Sequence, residues 1–375
     1  MIDKGTAYSA PGFYICDNVN SVDEVKAGIK YLVNKHPVLK ARVCEFNGDF
    51  LLVTDSTPCI EVIEYTGEDY ELLINDLIAP FDFNESLCRF WIINDSDNLV
   101  VFYDMHHLIS DATSRTIINS ELKACFHGDF DDSLDLGFLY DADNSFTNKF
   151  KPNYDKSYNF FMDQFSEIDT VVGLIDDVDG EYGSVTLPVR GIRNKVESFV
   201  QSKSITVGVL LNAVFAYTYS RFTGNKIYFT FTEHGRHDSY NEKALGMYVR
   251  TIPVIVDCVD VSVEEYIGKV SDIVLNSILY SDYPFRFLAR DFGLTNDVSF
   301  EYNFNLNDVS RVDDDLICSE DTLGLVSNWQ CVVNDLEDGF VVSVSHNDKY
   351  SQSTAIRFVA NFFRFAMFLY ANSFI

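Results

Sequence analysis

Apolar residues recur along the chain with two different periods, and these mark out its helices and strands. Over residues 21–35, Val22, Val25, Ile29, Leu32 and Val33 fall at helical spacing. Ser21 and Glu24 at the start have the spacing of a capping box. His36-Pro37 ends the helix, because the residue before a proline disfavours the helical region. Short strands follow over residues 39–46 (LKARVCEF), 49–53 and 60–65, with turn residues such as Asn47-Gly48 between them. Residues 98–105 (NLVVFYDM) form a strong strand that runs into His106-His107. The next segment, 112–126, is a helix with Ile118, Leu122, Cys125 and Phe126 on its apolar face. Residues 128–155 are acidic and weakly periodic, and read as a surface excursion connecting two lobes. Beyond them, residues 204–224 predict a buried helix capped by Gly224. Strands are predicted at 226–236, 249–258, 297–306 and 339–347, and helices at 263–281 and 353–371. The pattern is α/β, with helices and strands mixed in both halves and a division near residue 155.

Composition narrows the function classes. A length of 375 residues allows two or three units at about 150 residues each. The 28 Lys and Arg against 57 Asp and Glu leave a net charge of −29. That argues against nucleic acid or an anionic membrane surface as the main partner, since both require basic patches. The 32 Phe and 21 Tyr exclude a disordered acidic chain, which could not bury such residues in quantity. Cys16, Cys44, Cys59, Cys88, Cys125, Cys258, Cys318 and Cys331 show no metal-ligand spacing and read as reduced thiols in or near the core. No basic, apolar leader opens the chain, and no uninterrupted apolar run of about 20 residues occurs. The expectation is a cytoplasmic monomer with no bound metal. Asp313-Asp314-Asp315 reads as a solvated loop.

Residues 104–114 (DMHHLISDATS) carry the most chemistry. Successive strand residues point to opposite faces, so His106 and His107 cannot share one space. Asp111 stands directly before a predicted helix, where the plain reading is an N-cap. The plain reading of the histidines is a packed strand end. The sharper reading makes one imidazole a base or acceptor near neutral pH, with Asp111 ordering the turn that holds it.

Six segments then resemble, in order, those of the condensation domains of nonribosomal peptide synthetases, within the chloramphenicol-acetyltransferase-like superfamily. HHLISDATS is similar to the family's HHxxxDG motif, and KHPVLKARV (residues 35–43) to its RHxxLRTxF segment. FDFNESLCRF (81–90) resembles the stretch that ends Pro-Leu-Leu-Arg, with Arg89 at the arginine. EHGR places Gly235 and Arg236 on the family's Gly-Arg pair. ALGMYVRTIPV (244–254) is similar to the Gly-Met-Phe-Val-Asn-Thr-Leu-Pro segment, and SDYPF (281–285) to Gln-Asp-Tyr-Pro-Phe. The match runs from about residue 8 to the C-terminus. There are departures. Ala112 replaces the motif glycine, Lys40 an arginine and Arg250 an asparagine, and the family's first helical motif would lie before this chain begins.

The resemblance implies two chloramphenicol-acetyltransferase-like lobes in a V, residues 1–155 and 156–375, each a mixed β-sheet with packed helices. An active-site tunnel would run between them. Donor and acceptor carrier-protein domains would deliver thioesters on 4'-phosphopantetheine arms, and an amide bond would form. His107 would be the catalytic residue, supported by His106, Asp111 and Ala112. Ala112 keeps a backbone N–H that can donate to an oxyanion. Lys40 and Arg42, two apart on a predicted strand, are candidate partners for Asp111. Arg236, Tyr248 and Arg250 are candidates for the lobe junction and tunnel, with an ordinary salt bridge as the plain reading of Arg250.

Two alternatives use the same residues. One is a stand-alone acyltransferase taking acyl groups from coenzyme A or a carrier to an amine or alcohol. The other is a non-catalytic carrier-docking relative, against which the intact His107 and Asp111 weigh. Acidic carriers would be repelled by a uniformly acidic body within a Debye length of about 8 Å. Basic islands are therefore expected, at Lys149 with Lys151 and at Arg190, Arg193, Lys195 and Lys203.

Overall fold

The computed structural model describes residues 5–6, 8–67, 70–95, 98–147, 154–166, 181–236, 241–258, 261–304 and 327–372. They form two compact units. The first contains β1 (Ser9–Ile15), α1 (Val22–Lys35), β2 (Arg42–Phe46), β3 (Asp49–Val53), β4 (Cys59–Glu64), α2 (Tyr70–Leu77), β5 (Cys88–Asn94), β6 (Leu99–His106), α3 (Ala112–Phe126) and α4 (Gly137–Thr147). It also takes in the later segment Gly235–Val249.

The main sheet of this unit has the order β1-β6-β5-β4, antiparallel except for the parallel pair β4 and β5. Alternation along its central strands sorts two apolar layers. Phe90, Ile92, Val101, Tyr103 and Met105 face α1 and α3, together with Leu245 from the later segment. Trp91, Ile93, Val100 and Phe102 face α2 on the other side. Both faces of the central strands are covered, so β5 and β6 read as near-continuous apolar runs. The β2–β3 hairpin stands apart from that sheet. Its turn residues, Asn47 and Gly48, both have positive φ, at 54° and 84°, as a two-residue hairpin turn requires.

Helix α1 begins and ends where its pattern predicts. Ser21 Oγ accepts the Glu24 N–H at 3.3 Å. The Glu24 carboxylate reaches back one residue further than a capping box, to the Asn20 N–H at 2.9 Å. After His36, Pro37–Lys40 forms a single 3-10 turn. The strand predicted from residue 39 therefore begins only at Arg42. Proline favours the first position of such a turn, and this overrides the apolar alternation.

The second unit contains α5 (Tyr154–Phe165), β7 (Gly183–Arg190), α6 (Arg193–Lys203), α7 (Val207–Ser220), β8 (Lys226–Glu233), β9 (Arg250–Asp257), α8 (Val263–Leu279), α9 (Phe285–Phe292), β10 (Val298–Asn303), β11 (Trp329–Leu336), β12 (Gly339–His346) and α10 (Gln352–Asn372). Its sheet order is β7-β12-β11-β10-β8-β9, with β10 parallel to both neighbours. On one face Phe215 of α7 is fully buried, with ring centroids 4.9 Å from Phe229, 5.0 Å from Phe300 and 5.7 Å from Phe358. On the other face α5 and α9 cover Ile255 and Tyr228 with Phe161, Phe165 and Leu288.

Three expectations are corrected. Helix α7 stops at Ser220, short of Gly224, because Arg221 and Phe222 donate to carbonyls three residues back and tighten the end. The stretch 128–155 is not all irregular: α4 lies within it, and Phe138 and Leu139 pack on the core of the first unit. A single division near residue 155 leaves Gly235–Val249 in the wrong unit. Bonds from that segment to residues more than 100 positions earlier hold it there, and no local pattern encodes them. The loop expected at Asp313-Asp314-Asp315 and the thiol Cys318 lie outside the described residues. Of the other cysteines, Cys88, Cys125, Cys258 and Cys331 are buried and Cys59 is exposed.

Truncating Phe215 to alanine should destabilise the second unit by about 3–5 kcal/mol, as for other buried phenylalanines. The measurement is thermal unfolding by near-ultraviolet circular dichroism. An unchanged midpoint would refute the central place given to this ring.

Candidate functional site

Strand β6 ends at His106 because the ring there is packed on several sides. His106 is buried, stacks on Tyr8 at 5.9 Å, and meets Phe81 and Phe83 edge-on at 5.6 and 5.1 Å. Its Nδ1 accepts the Leu108 N–H at 3.0 Å, which turns the chain out of the strand. One histidine is therefore the packed strand end, and the other is released from it.

His107 is half-buried at the start of that turn. Its N–H donates to Tyr8 O at 2.8 Å. The ring Nδ1 lies 3.0 Å from Ser110 O. A carbonyl oxygen only accepts, so Nδ1 carries the proton and Nε2 keeps its lone pair. Burial lowers the His107 pKa below its ordinary 6.5 and Arg115 adds to this, together outweighing the raising effects of the Ser110 carbonyl bond and of Asp111. The neutral ring with a basic Nε2 is the dominant form near pH 7.

Asp111 has two roles at once. It is the N-cap of α3: its carboxylate accepts the Ser114 N–H at 2.9 Å, and its own N–H donates to Ser114 Oγ at 3.2 Å. It is also the buried partner of Arg236, whose Nη2 lies 2.9 Å from both carboxylate oxygens. The Tyr248 N–H adds a third donor at 3.2 Å. Arg236 spreads its remaining protons over carbonyls of its own segment, Ala244 O at 2.7 Å, Gly246 O at 3.1 Å and Asn241 O. Its guanidinium lies 4.4 Å from the centre of the Tyr248 ring. Ser114 Oγ also accepts the Gly246 N–H at 3.2 Å. Gly235 permits this folding-back: φ is +66°, and a Cβ there would overlap Tyr248 O.

The other named residues each have partners of their own. Ala112 is the first residue of α3, where the backbone N–H has no acceptor within the helix. The Tyr248 hydroxyl donates to Asp141 at 3.2 Å. Arg89 pairs with the fully buried Asp104 at 2.8 Å beneath Phe81. Arg250 belongs to the second unit and opens β9, donating to Ser281 Oγ at 2.8 Å with Asp282 at 3.4 Å. That is the ordinary salt bridge of the plain reading.

Neither Lys40 nor Arg42 is the partner of Asp111. Lys40 sits in the 3-10 turn, not on a strand beside Arg42, and donates to Asn34 at 3.0 Å. Arg42 makes a two-pronged bond to Asp55 across the β2–β3 hairpin. The cation is Arg236, 125 residues away in sequence. The proposed basic island at 190–203 is largely neutralised. Arg190 meets Asp338, Arg193 meets Glu197 and Asp335, and Lys203 meets Glu264. Lys149 and Lys151 lie outside the described residues. Ser114 and Gly246 were not foreseen as site residues. The spacing of Ser114 from Asp111, three residues, is the one local signal that could have identified it. Among the described residues no group of three or more His, Cys, Asp or Glu is placed to hold a metal ion.

Comparisons with known proteins place the chain in a family. The chain is 24% identical to surfactin synthase subunit 1 of Bacillus subtilis (strain 168), over 96% of its own length and 11% of that protein's. It thus spans about a tenth of the length of that curated relative. Its fold matches the condensation domain from the monacolin K polyketide synthase MokA with a TM-score of 0.80 at 10% identity, covering 97% of this chain and 92% of that one. The first condensation domain of the calcium-dependent antibiotic synthetase, bound to a substrate analogue, matches with a TM-score of 0.75 at 15% identity, covering 98% and 92%. The family model described as Condensation domain matches residues 1–365, and the chain belongs to that family.

Proposed function

We propose that this chain forms an amide bond between a thioester-bound acyl or peptidyl donor and an amine acceptor. Both substrates would be held on the phosphopantetheine arms of carrier-protein domains. The observation that carries this reading is the His107 ring, whose Nδ1–H is engaged by Ser110 O and whose Nε2 is left basic. The acceptor nitrogen attacks the thioester carbonyl carbon, and a tetrahedral oxyanion forms. His107 Nε2 accepts the proton that the amine loses. The C–S bond then breaks, and the proton passes to the departing thiolate. A thioester is already activated, so holding the amine in line is a large part of the work, and positioning supplies up to roughly 7–11 kcal/mol in favourable cases.

The remaining residues have supporting roles. His106 anchors the strand end through its aromatic packing. Asp111 is a structural residue, holding Arg236 and capping α3. The Ala112 N–H, at the start of α3, is a donor available to the oxyanion.

Replacing His107 with alanine should reduce turnover of carrier-bound substrates by about 10²–10⁴-fold with the fold intact. Product is quantified by mass spectrometry, and wild-type turnover would exclude the catalytic role. In the unaltered protein the acid limb of kcat/KM should have its midpoint below 6.5, because burial depresses the His107 pKa. Activity is then full at neutral pH and lost as the pH falls through that lowered value. A midpoint above 6.5 would contradict the half-buried, neutral ring. Asp111→Asn leaves Arg236 buried without its carboxylate and should cost about 3–5 kcal/mol of stability. Activity lost with no change in thermal midpoint would show that Asp111 is not structural.

A further inference from the structure

A second buried histidine–carboxylate pair lies one residue from the site just described. His36 is the C-cap of α1 and is 1% exposed. Its Nδ1 lies 2.8 Å from Asp135 Oδ2. The same carboxylate oxygen accepts the Leu245 N–H at 2.9 Å, and Oδ1 accepts the Gly137 N–H at 3.0 Å. The Asp135 backbone N–H donates to Lys35 O at 2.9 Å, so both its main chain and its side chain are tied to the end of α1. Lys35 itself reaches Glu121 of α3 at 2.8 Å and Asp131 at 3.0 Å. Burial pushes the Asp135 carboxyl up, but the His36 ring and the Leu245 and Gly137 N–H groups outweigh it and hold the carboxyl below its ordinary value. Among the described residues the buried His36 Nε2 has no hydrogen-bond partner and the ring's one side-chain bond is to Asp135.

Asp135 thus collects donors from three separate pieces of chain, and the third leads directly to the site. Leu245 precedes Gly246, whose N–H meets Ser114 and whose carbonyl accepts from Arg236. Two residues further, the Tyr248 N–H meets Asp111. Asp111 follows Ser110, whose carbonyl fixes the His107 tautomer. Leu245 is 1% exposed in the core of the first unit, so its backbone cannot turn to water instead.

We infer that His36 and Asp135 are positioning residues for His107: by holding Leu245 they hold the Gly235–Val249 segment in register, and through Arg236 and Asp111 they set the orientation of the His107 ring. This rests on the catalytic reading of His107, and its test has a readout independent of turnover. In protein labelled with ¹⁵N at histidine, the ring nitrogens of His107 should show one tautomer, protonated at Nδ1. In Asp135→Asn that signal should become a mixture. On carrier-bound substrates kcat should fall by about 10–100-fold with KM nearly unchanged, measured well below the melting temperature of the variant. His36→Leu removes the ring donor that steadies the Asp135 carboxylate against Leu245, so it should loosen that bond and behave the same way, and it serves if Asp135→Asn fails to fold. His36→Asn, whose amide nitrogen can take the place of Nδ1, should restore both the single tautomer and kcat. If Asp135→Asn and His36→Leu lower the melting temperature but leave the His107 tautomer and kcat unchanged, the pair is only structural and the inference falls. If the unaltered protein has no condensation activity, the ring spectra still decide the positioning role, and only the catalytic reading fails.

Discussion

The buried pair of Asp111 and Arg236 is the constraint on which the first unit and its site depend. Removing two charges from water costs several kcal/mol for each ion, and their mutual attraction offsets this only when the remaining hydrogen-bonding capacity is also satisfied. Here it largely is. The carboxylate accepts from Arg236, Ser114 and Tyr248, and the guanidinium donates to Asp111 and to the carbonyls of residues 241, 244 and 246. The geometry that satisfies the charges therefore also dictates where Gly235, Arg236 and residues 241–249 lie. A segment that leaves β8 in one unit and re-enters that unit at β9 is drawn into the other on the way.

This arrangement links stability to chemistry without using the same groups for both. Asp111 has its oxygens committed to protein donors, so it is poorly placed to exchange protons. His107, four residues earlier, has one ring nitrogen committed to Ser110 and the other uncommitted in the bonds described. The cap on α3 holds Asp111, Asp111 follows Ser110, and Ser110 holds the ring. A ring held in this way is oriented by the fold, which is what the proposed aminolysis of a thioester would ask of it.

The net charge of −29 acquires a more local meaning. Cations spaced through the chain are each matched to carboxylates: Lys35, Arg42, Arg89, Arg193 and Arg236 all lie within 3 Å of one. The acid excess therefore does not face a free basic patch at 190–203, where one was anticipated. Carrier domains meeting that face would have to be held by apolar contacts or by cations elsewhere.

Much of the fold was legible because it is written in short-range chemistry. Apolar spacing marked α1, α3 and the central strand β6, and Ser21 and Asp111 marked two helix starts. The histidine pair, the strand alternation and the spacing to Asp111 together singled out one imidazole as the candidate base. The errors share a cause. Pro37 imposed a turn where alternation implied a strand, and α4 was hidden because its start depends on Asp135, Phe138 and Leu139 meeting other parts of the chain. Above all, Lys40 and Arg42 were equal to Arg236 as cations when judged by residue type and local spacing. The sequence by itself determined which residues could ionise, cap and alternate. Only the tertiary structure decided which cation meets Asp111 and which carboxylate meets His36, because a buried charge selects its partner by three-dimensional desolvation, not by distance along the chain.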